Sequence, residues 1–252
     1  MLKEKTILIT GGGSGIGKAL AINLSEFNHV VICGRNEGNL KAVSGLSKNI
    51  KYYVADVSVP GEIDNLFRKL RSDGIVLDVV INNAGVVELW DLTKTVLSSG
   101  EIFEKINTNL SGAIAVTQQF ITQANMLSEN IIVNITSEIA LFPIPIMPLY
   151  ATSKAGLRVF TRCLRTQLDN TNFKIFEILP PAVDTAMPKQ LGNKGKLLDA
   201  DAFALKAITA INIDNKEFAP GKNVPLLNLF ARLLSKTGLR LIDSMSRKQL
   251  ST

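Results

Sequence analysis

Residues 6–17 read TILITGGGSGIG, and residues 18–27 continue as KALAINLSEF. An apolar, β-branched run is followed directly by glycines and then by a segment with helical spacing. Glycines let a chain reverse sharply and approach a ligand closely, and the start of the following helix offers free N–H groups to a phosphate. The sequence therefore predicts a strand, a phosphate-binding turn and a helix. The spacing Gly-x-x-x-Gly-x-Gly differs from G-x-G-x-x-G, so a merely flexible turn is the alternative.

The same alternation of short apolar runs and helical segments continues through residue 180. Further strands are predicted at 29–33, 51–54, 77–81, 131–136 and 173–179. Strands that are apolar along their whole length are typical of parallel sheets covered on both faces. The sequence thus predicts an α/β fold with a Rossmann-type, doubly wound parallel sheet. We expect one domain over 1–252, in which 186–252 is a variable substrate-loop and C-terminal helical region.

The composition argues against several kinds of catalytic and metal site. The 252 residues are 46% hydrophobic and 20% charged, which is typical of a globular protein. Cys33 and Cys163 are the two cysteines and His29 the single histidine, so a disulfide framework, a histidine-based metal site and a histidine-dependent triad are not expected. The sequence predicts no metal site.

The net charge of +6 is concentrated near the end of the chain. Residues 221–252 contain six basic residues and one acidic residue, so most of the net charge belongs to a C-terminal tail. No nucleic-acid partner is therefore expected. Leucines alternate with these basic residues. The tail is interpreted as a helix that docks on the domain, with a basic amphipathic helix on a membrane surface as the alternative. No signal peptide or spanning helix is predicted, which favours the cytoplasm.

The end of the second predicted strand bears on the choice of dinucleotide. A carboxylate there would bind the ribose 2′-hydroxyl of NAD, but the position holds Gly34, followed by Arg35. Because this position has no carboxylate and is followed by a cation, it favours the 2′-phosphate of NADP. NADP(H) is therefore preferred, and NAD(H) is the alternative. Asp56 ends the third strand, where it could bond an adenine amino group. Asn82 and Asn83 end the fourth strand, where a structural role and a ligand contact are equally expected.

Ser137, Tyr150 and Lys154 form a candidate proton-transfer group. Tyr150 and Lys154 are four residues apart, so they share a face if 149–169 is helical, and Ser137 follows the strand at 131–136. A nearby ammonium lowers the pKa of a phenol, and a serine hydroxyl can bond a substrate carbonyl. Together they would place a proton donor beside a polarised carbonyl.

With these residues in view, the chain resembles the short-chain dehydrogenase/reductase family. The resemblance covers residues 6–185 and rests on the glycine turn, Asn82-Asn83-Ala84-Gly85, Asn109-Leu110-Ser111-Gly112, Ser137 and Tyr150-x-x-x-Lys154. It extends to a bacterial subgroup that includes the oxidoreductase encoded beside lipoteichoic-acid D-alanylation genes.

The resemblance implies a role for each matching position. Tyr150 would be the acid/base, Lys154 would bind the nicotinamide ribose, Ser137 would orient the substrate and Asn109 would hold a relay water. A helix kink is the alternative role for Asn109. The cofactor would be contacted by Gly11, Ser14, Gly15, Ile16, Gly17, Arg35, Asp56, Val57, Asn83, Ala84, Gly85, Tyr150, Lys154, Val183 and Thr185.

Two features depart from the family's pattern. Pro181 stands where the family usually has glycine, and the fixed φ of proline puts the contacts of 181–184 in question. The last strand is a short candidate at 217–219. In many relatives this strand helps to build a tetramer, so a homodimer through the helices around 101–127 and 149–169 is favoured over a homotetramer.

The substrate pocket is predicted between 139–149 and 187–198. The first wall is apolar, which favours an apolar or amphipathic carbonyl compound over a sugar. Ser137, Ile139, Phe142, Met147, Tyr150 and Met187 are the predicted substrate contacts. Lys189, Lys194 and Lys196 in the second wall are interpreted as a solvated loop, with an acidic substrate group as the alternative.

The function predicted from these residues is an NADP-dependent enzyme that transfers a hydride between nicotinamide and a carbonyl or secondary alcohol, the cofactor supplying the redox chemistry. The alternative is a dinucleotide-binding regulatory or scaffold protein without turnover. The presence of all four of Ser137, Tyr150, Lys154 and Asn109 argues against it.

Overall fold

The computed structural model describes residues 2–142, 144–185 and 197–221. It contains one seven-stranded sheet, entirely parallel, in the order β3-β2-β1-β4-β5-β6-β7. The strands are β1 (Thr6–Thr10), β2 (His29–Gly34), β3 (Ile50–Val54), β4 (Val79–Asn82), β5 (Asn130–Ile135), β6 (Phe173–Ile178) and β7 (Glu217–Phe218). The helices are α1 (Gly15–Leu24), α2 (Glu37–Ser44), α3 (Pro60–Ser72), α4 (Ser99–Ile106), α5 (Gly112–Gln123), α6 (Pro148–Gln167) and α7 (Ala200–Asn212). The predicted Rossmann-type α/β class is confirmed.

Helices cover both faces of the sheet because successive side chains of each central strand point to opposite sides. Ile7 and Ile9 of β1 pack in one core with residues of α1 and α7. Leu8 lies between them in sequence and packs in the other core, with residues of α3 and α5. This double burial explains why the central strands are apolar throughout.

The order of the strands sets the position of the site. β1 lies between β2 and β4, so the direction of winding reverses there. A crevice opens at such a reversal, outside the carboxyl ends of the strands. The glycine turn after β1 and residues 83–85 after β4 both border this crevice.

A buried chain of hydrogen bonds joins β4 and β5 to the helices behind them. Asn82 donates through Nδ2 to Thr117 Oγ1 (2.9 Å) and to Asn134 Oδ1 (2.8 Å), and Asn134 donates to Thr161 Oγ1 (2.8 Å). Buried amides need such partners. Of the two roles open to Asn82, the structure shows the structural one.

The last strand is as short as the sequence suggests and is held by a charged side chain. Arg158 of α6 donates to Glu177 of β6 (2.7 Å) and to Glu217 of β7 (2.6 Å). β7 pairs with β6 over two residues, so Arg158 adds side-chain bonds where few backbone bonds are available.

In the described part of the chain, none of the helices is long and apolar enough to cross a membrane. The predicted tail at 222–252 and most of the predicted loop at 187–198 lie outside the described residues.

Candidate active site

The glycine turn leads from β1 into α1 with its backbone fixed against β2. Gly11 and Gly12 donate to the Cys33 carbonyl oxygen (2.8 and 3.2 Å). Gly11 has φ of +67° and Gly15 of +52°, values that favour glycine. Ser14 is the N-cap residue of α1, but its side chain caps no N–H group, and the first turn has no acidic residue. The start of α1 is therefore suited to an anionic group of a ligand.

A pocket lies beside this turn. Its lining includes seven predicted cofactor contacts: Gly11, Ser14, Arg35, Asp56, Val57, Ala84 and Gly85. It is completed by residues that the sequence did not indicate as contacts: Gly13, Gly34, Asn36, Asn39, Leu40, Ala55, Val86 and Thr108. A pocket that is lined by the glycine turn and by the ends of β2 and β3 fits the phosphate and adenosine part of a dinucleotide.

Arg35 lies in this pocket within an ion-pair network. Its Nη1 is 2.8 Å from Glu104 Oε1 and 3.8 Å from Asp56 Oδ2. About half of the Arg35 side chain is exposed, so these pairs are weak and can be exchanged for another anion. Sequence reasoning missed Glu104, because α4 is distant along the chain and no motif marks this residue.

Asp56 and Asn83 have local partners. Asp56 accepts through Oδ1 from the backbone N–H and the hydroxyl of Ser58 (2.8 and 2.7 Å). Asn83 donates to the carbonyl oxygens of Thr10 (2.9 Å) and Gly11 (3.3 Å). Asn83 thus supports the glycine turn from behind, while Asp56 lines the pocket and closes the bend after β3.

Ser137, Tyr150 and Lys154 meet at the carboxyl end of β5. Ser137 follows that strand, and α6 carries Tyr150 and Lys154 on one face. The Ser137 hydroxyl lies close enough to the Tyr150 phenol to lower its pKa, and its oxygen accepts from the Ile139 backbone N–H (3.3 Å). Lys154 donates from Nζ to the Ile135 carbonyl oxygen (2.9 Å), and Nζ is 5.8 Å from the centre of the Tyr150 ring.

Burial dominates the pKa of both titratable groups. It raises the pKa of Tyr150 to about 12; the neighbouring Ser137 hydroxyl opposes this shift and the charge of Glu88 adds to it. It lowers the pKa of Lys154 to about 8. The pKa of Tyr150 is thus shifted upward, opposite to the direction expected from a nearby ammonium, because the phenol is buried.

Asn109 lies in a π-helical turn, Asn107–Ser111, between α4 and α5. Its side chain accepts from Val86 N (2.7 Å) and donates to Val86 O (2.8 Å). A methyl group on Gly85 would lie 3.2 Å from Asn109 Oδ1 and 3.5 Å from Lys154 Nζ. Asn109 and Lys154 therefore converge over Gly85, and the interrupted helix is also present.

The remaining predicted cofactor contacts lie in the first turn of α1 or in the segment after β6. A methyl group on Gly15 would lie 3.1 Å from Thr185 Cγ2, so Thr185 lies directly beside the turn. Val183 is buried and bridges to Leu198. Ile16 packs against the core on the α1 side, and Gly17 is buried.

The predicted substrate wall is partly visible. Ile139 and Phe142 are half-buried and Met147 is buried, as an apolar lining requires. Trp90 donates from its backbone N–H to the Ile146 carbonyl oxygen (2.9 Å), which ties the segment after β4 to this wall. Met187, Lys189, Lys194 and Lys196 lie outside the described residues.

Glu88 is a site residue that sequence reasoning missed entirely. Both of its carboxylate oxygens are buried and have no hydrogen-bond partner among the described residues. Burial raises the pKa of its carboxyl; the Lys105 ammonium and the Tyr150 backbone N–H oppose the shift. A glutamate between apolar residues in a segment without a motif gives no sequence signal.

Comparisons with known proteins agree with this geometry. The model of the short chain dehydrogenase family matches residues 5–196. The chain is 32% identical to the uncharacterized oxidoreductase DltE of Bacillus subtilis over 197 residues, covering 77% of each chain. It is 30% identical over 200 residues to the 3-oxoacyl-[acyl-carrier-protein] reductase FabG of Thermotoga maritima, covering 77% of this chain and 80% of FabG.

A solved structure has the same fold. A variant of actinorhodin polyketide ketoreductase with NADPH superposes with a TM-score of 0.78 at 22% identity, covering 89% of this chain and 98% of the other. Since family and fold agree, the chain belongs to the short-chain dehydrogenase family and is an oxidoreductase that binds a nicotinamide dinucleotide. Its similarity to DltE confirms the bacterial subgroup indicated by the sequence.

Proposed function

We propose that the protein is an NADP-dependent carbonyl reductase or secondary alcohol dehydrogenase in which Tyr150 is the acid/base. The convergence of Ser137, Tyr150, Lys154 and Asn109 at the end of β5, beside the dinucleotide pocket, carries this proposal. The bound nicotinamide supplies the hydride. The protein's part is to orient the substrate and to move one proton.

Each side chain has one task in carbonyl reduction. The Ser137 hydroxyl holds the substrate oxygen, and the Tyr150 phenol gives that oxygen a proton. With a pKa of about 12 the phenol is protonated at neutral pH, as an acid must be. The Lys154 ammonium stabilises the tyrosinate as it forms, and Asn109 holds a water that returns the proton through Lys154.

The cofactor is proposed to lie along the pocket beside the glycine turn. Gly11, Ser14, Gly15 and Gly17 would surround the pyrophosphate, and Ile16 would pack under the nicotinamide half. Asp56 and Val57 would meet the adenine, and Asn83, Ala84 and Gly85 would support the cofactor. Lys154, Tyr150, Val183 and Thr185 would meet the nicotinamide half. The lack of an acidic first turn in α1 supports phosphate binding there.

An assay of NADPH oxidation with straight-chain ketones tests the activity. We expect turnover with apolar or amphipathic ketones, because Ile139, Phe142 and Met147 form an apolar wall. Bound NADPH that is not oxidised by any carbonyl compound, together with bound NADP⁺ that is not reduced by the alcohols, would contradict the proposal.

The preference for NADP(H) is predicted to depend on Arg35. Replacement of Arg35 by serine is expected to weaken NADPH binding about 10- to 100-fold and to leave NADH binding nearly unchanged, because only the 2′-phosphate uses the guanidinium. Nucleotide fluorescence titration measures both affinities. Replacement of Glu104 by glutamine removes a competing carboxylate at 2.8 Å and should tighten NADPH binding a few-fold.

Arg68→Ser is a suitable control for the Arg35 variant, since Arg68 is an exposed residue of α3 outside the pocket and donates to Asn65 one turn earlier (2.6 Å). It should change neither affinity. An equal loss of affinity for NADH and NADPH in Arg35→Ser would show that Arg35 does not bind the 2′-phosphate.

The pKa of Lys154 predicts how carbonyl reduction depends on pH. Burial lowers this pKa to about 8, so the ammonium predominates below that pH and is lost above it. We expect kcat to fall as the pH rises through about 8, since a neutral amine no longer stabilises the tyrosinate. A kcat that stays constant from about pH 6.5 to 9.5, with the fold intact by circular dichroism, would exclude this role.

A homodimer through the faces of α4, α5 and α6 is proposed as the assembly. Phe103 of α4 and Val159 of α6 are largely exposed apolar side chains in the single chain, which supports burial against a second copy. Sedimentation velocity would distinguish a dimer from the monomer and from the tetramer.

The proposed compartment is the cytoplasm. Both cysteines are free, Cys33 buried and Cys163 exposed, which fits a reducing compartment. Cell fractionation tests this assignment, and recovery with the membranes would instead favour the amphipathic interpretation of the tail.

A further inference from the structure

Glu88 has a fixed place between two parts of the proposed site. The backbone of Val86, two residues before it, is bonded on both sides by the Asn109 side chain (2.7 and 2.8 Å). Trp90, two residues after it, is bonded to Ile146 in the substrate wall (2.9 Å). Glu88 is therefore held between the relay residue and the wall.

The carboxylate of Glu88 lacks the partners that a buried carboxylate requires. Both oxygens are buried, and no described donor meets them at hydrogen-bonding geometry, although the Lys105 ammonium and the Tyr150 backbone N–H are near enough to lower the pKa of the carboxyl. A buried acceptor without a donor costs free energy that a partner would recover. Its charge raises the pKa of the Tyr150 phenol, and the Tyr150 backbone N–H lowers the pKa of its carboxyl, so the carboxylate lies near the residue that would serve the substrate oxygen.

We propose that Glu88 binds a hydrogen-bond donor of the substrate close to the reacting carbonyl, so that the preferred substrates are ketones with a neighbouring hydroxyl or ammonium group. This inference rests on the proposed reductase function. The donor would satisfy the oxygens of Glu88, while the rest of the substrate lies against the apolar wall. The substrate is thus amphipathic, with its polar end at Glu88.

A purely structural role for Glu88 makes a different prediction. The carboxylate lies near the start of α6, where it could attract the free N–H groups of the first turn. Loss of such a contact would displace Tyr150 and slow the reaction of every substrate equally. A change in the relative rates of matched substrates is expected only if Glu88 touches the substrate.

The test uses NADPH and three ketones of one chain length: a methyl ketone, its α-hydroxy derivative and its α-ammonium derivative. For the wild type we expect kcat/KM to favour a donor-bearing ketone over the plain one, mainly through KM. In E88A this preference should fall about 10- to 100-fold. E88Q keeps an acceptor oxygen and should retain much of the preference for the hydroxyl but lose that for the ammonium.

Glu26→Gln is the control, because Glu26 is exposed and far from the pocket; it should leave all three values unchanged. Unchanged relative rates in E88A, or equal losses for all three ketones, would overturn the assignment while leaving the reductase function intact.

If no ketone is turned over, the reductase proposal fails, and the role of Glu88 is then tested by the binding of the same three ketones to the NADPH complex. Thermal stabilisation of the NADPH complex by the donor-bearing compounds, lost in E88A, would support the site. Stabilisation that is the same in both proteins, or absent from both, would overturn it.

Discussion

Replacement of Tyr150 by phenylalanine is expected to lower kcat for carbonyl reduction at least about 1,000-fold, with little change in NADPH affinity. The variant loses the hydroxyl that lies beside Ser137 and is proposed to protonate the substrate. General acid catalysis contributes about 10²- to 10⁴-fold, and no other described phenol is close to Ser137. The ring keeps its shape, so α6 should keep its position. Stopped-flow measurement of NADPH oxidation and fluorescence titration give the two quantities.

Tyr52→Phe is the matched control. It also removes one hydroxyl, at a surface contact with Glu37 (3.3 Å) on the side of the sheet away from Ser137. It should have wild-type kcat. A Tyr150→Phe protein that retains kcat within about tenfold of the wild type would assign the proton to another group.

Replacement of Gly17 by alanine is expected to disrupt the glycine turn. A methyl group at this position would overlap the Gly11 carbonyl oxygen and come within 2.5 Å of Asn83 Nδ2. One of these neighbours is backbone and the other supports the turn, so neither can move without opening it. We expect NADPH affinity to fall about 100-fold or more and the free energy of unfolding to fall by about 1–3 kcal/mol. Fluorescence titration and urea denaturation measure the two effects.

Gly61→Ala provides the comparison for this variant. A methyl group on Gly61, in the first turn of α3, would meet no atom within 4 Å. It should leave NADPH affinity unchanged and stabilise the protein by about 0.4–1 kcal/mol, because alanine has less freedom in the unfolded chain. If Gly17→Ala bound NADPH like Gly61→Ala, the turn would not hold the cofactor.

The fold could be predicted because its signals are local. Strands such as β1 are continuous apolar runs, and the glycines mark the turn without reference to the rest of the chain. Boundaries shifted by one or two residues, as in β4, where the apolar run from Leu77 begins before the ladder at Val79. A helix kink at Asn109 was one of the two roles that the sequence left open. Its form as a π-turn was not predicted, since a single interruption of helical hydrogen bonds leaves the composition of 101–127 unchanged.

The candidate site was predictable where residues follow a motif and not where they meet through the fold. Ser137, Tyr150 and Lys154 were found from spacing and resemblance. Glu104 and Glu88 were not found. Glu104 matters because it pairs with Arg35, and Glu88 because it lies near Tyr150; both relationships are created only by the tertiary structure. The shift in the pKa of Tyr150 was also missed, since burial of the phenol cannot be judged from the neighbouring sequence.

The π-turn at Asn107–Ser111 sets the rotation of α5 relative to α4, and the geometry of the site depends on that rotation. Its hydrogen bond from Gly112 N to Asn107 O spans five residues, so the turn holds one residue more than an α-helical turn. That residue rotates α5 relative to α4 by roughly 100°, the angle of one helical step. Deletion of one residue here would restore a regular helix but could not keep both Asn109 at Val86 and the apolar face of α5 on the sheet. The number of residues between α4 and α5 is therefore constrained independently of their identity.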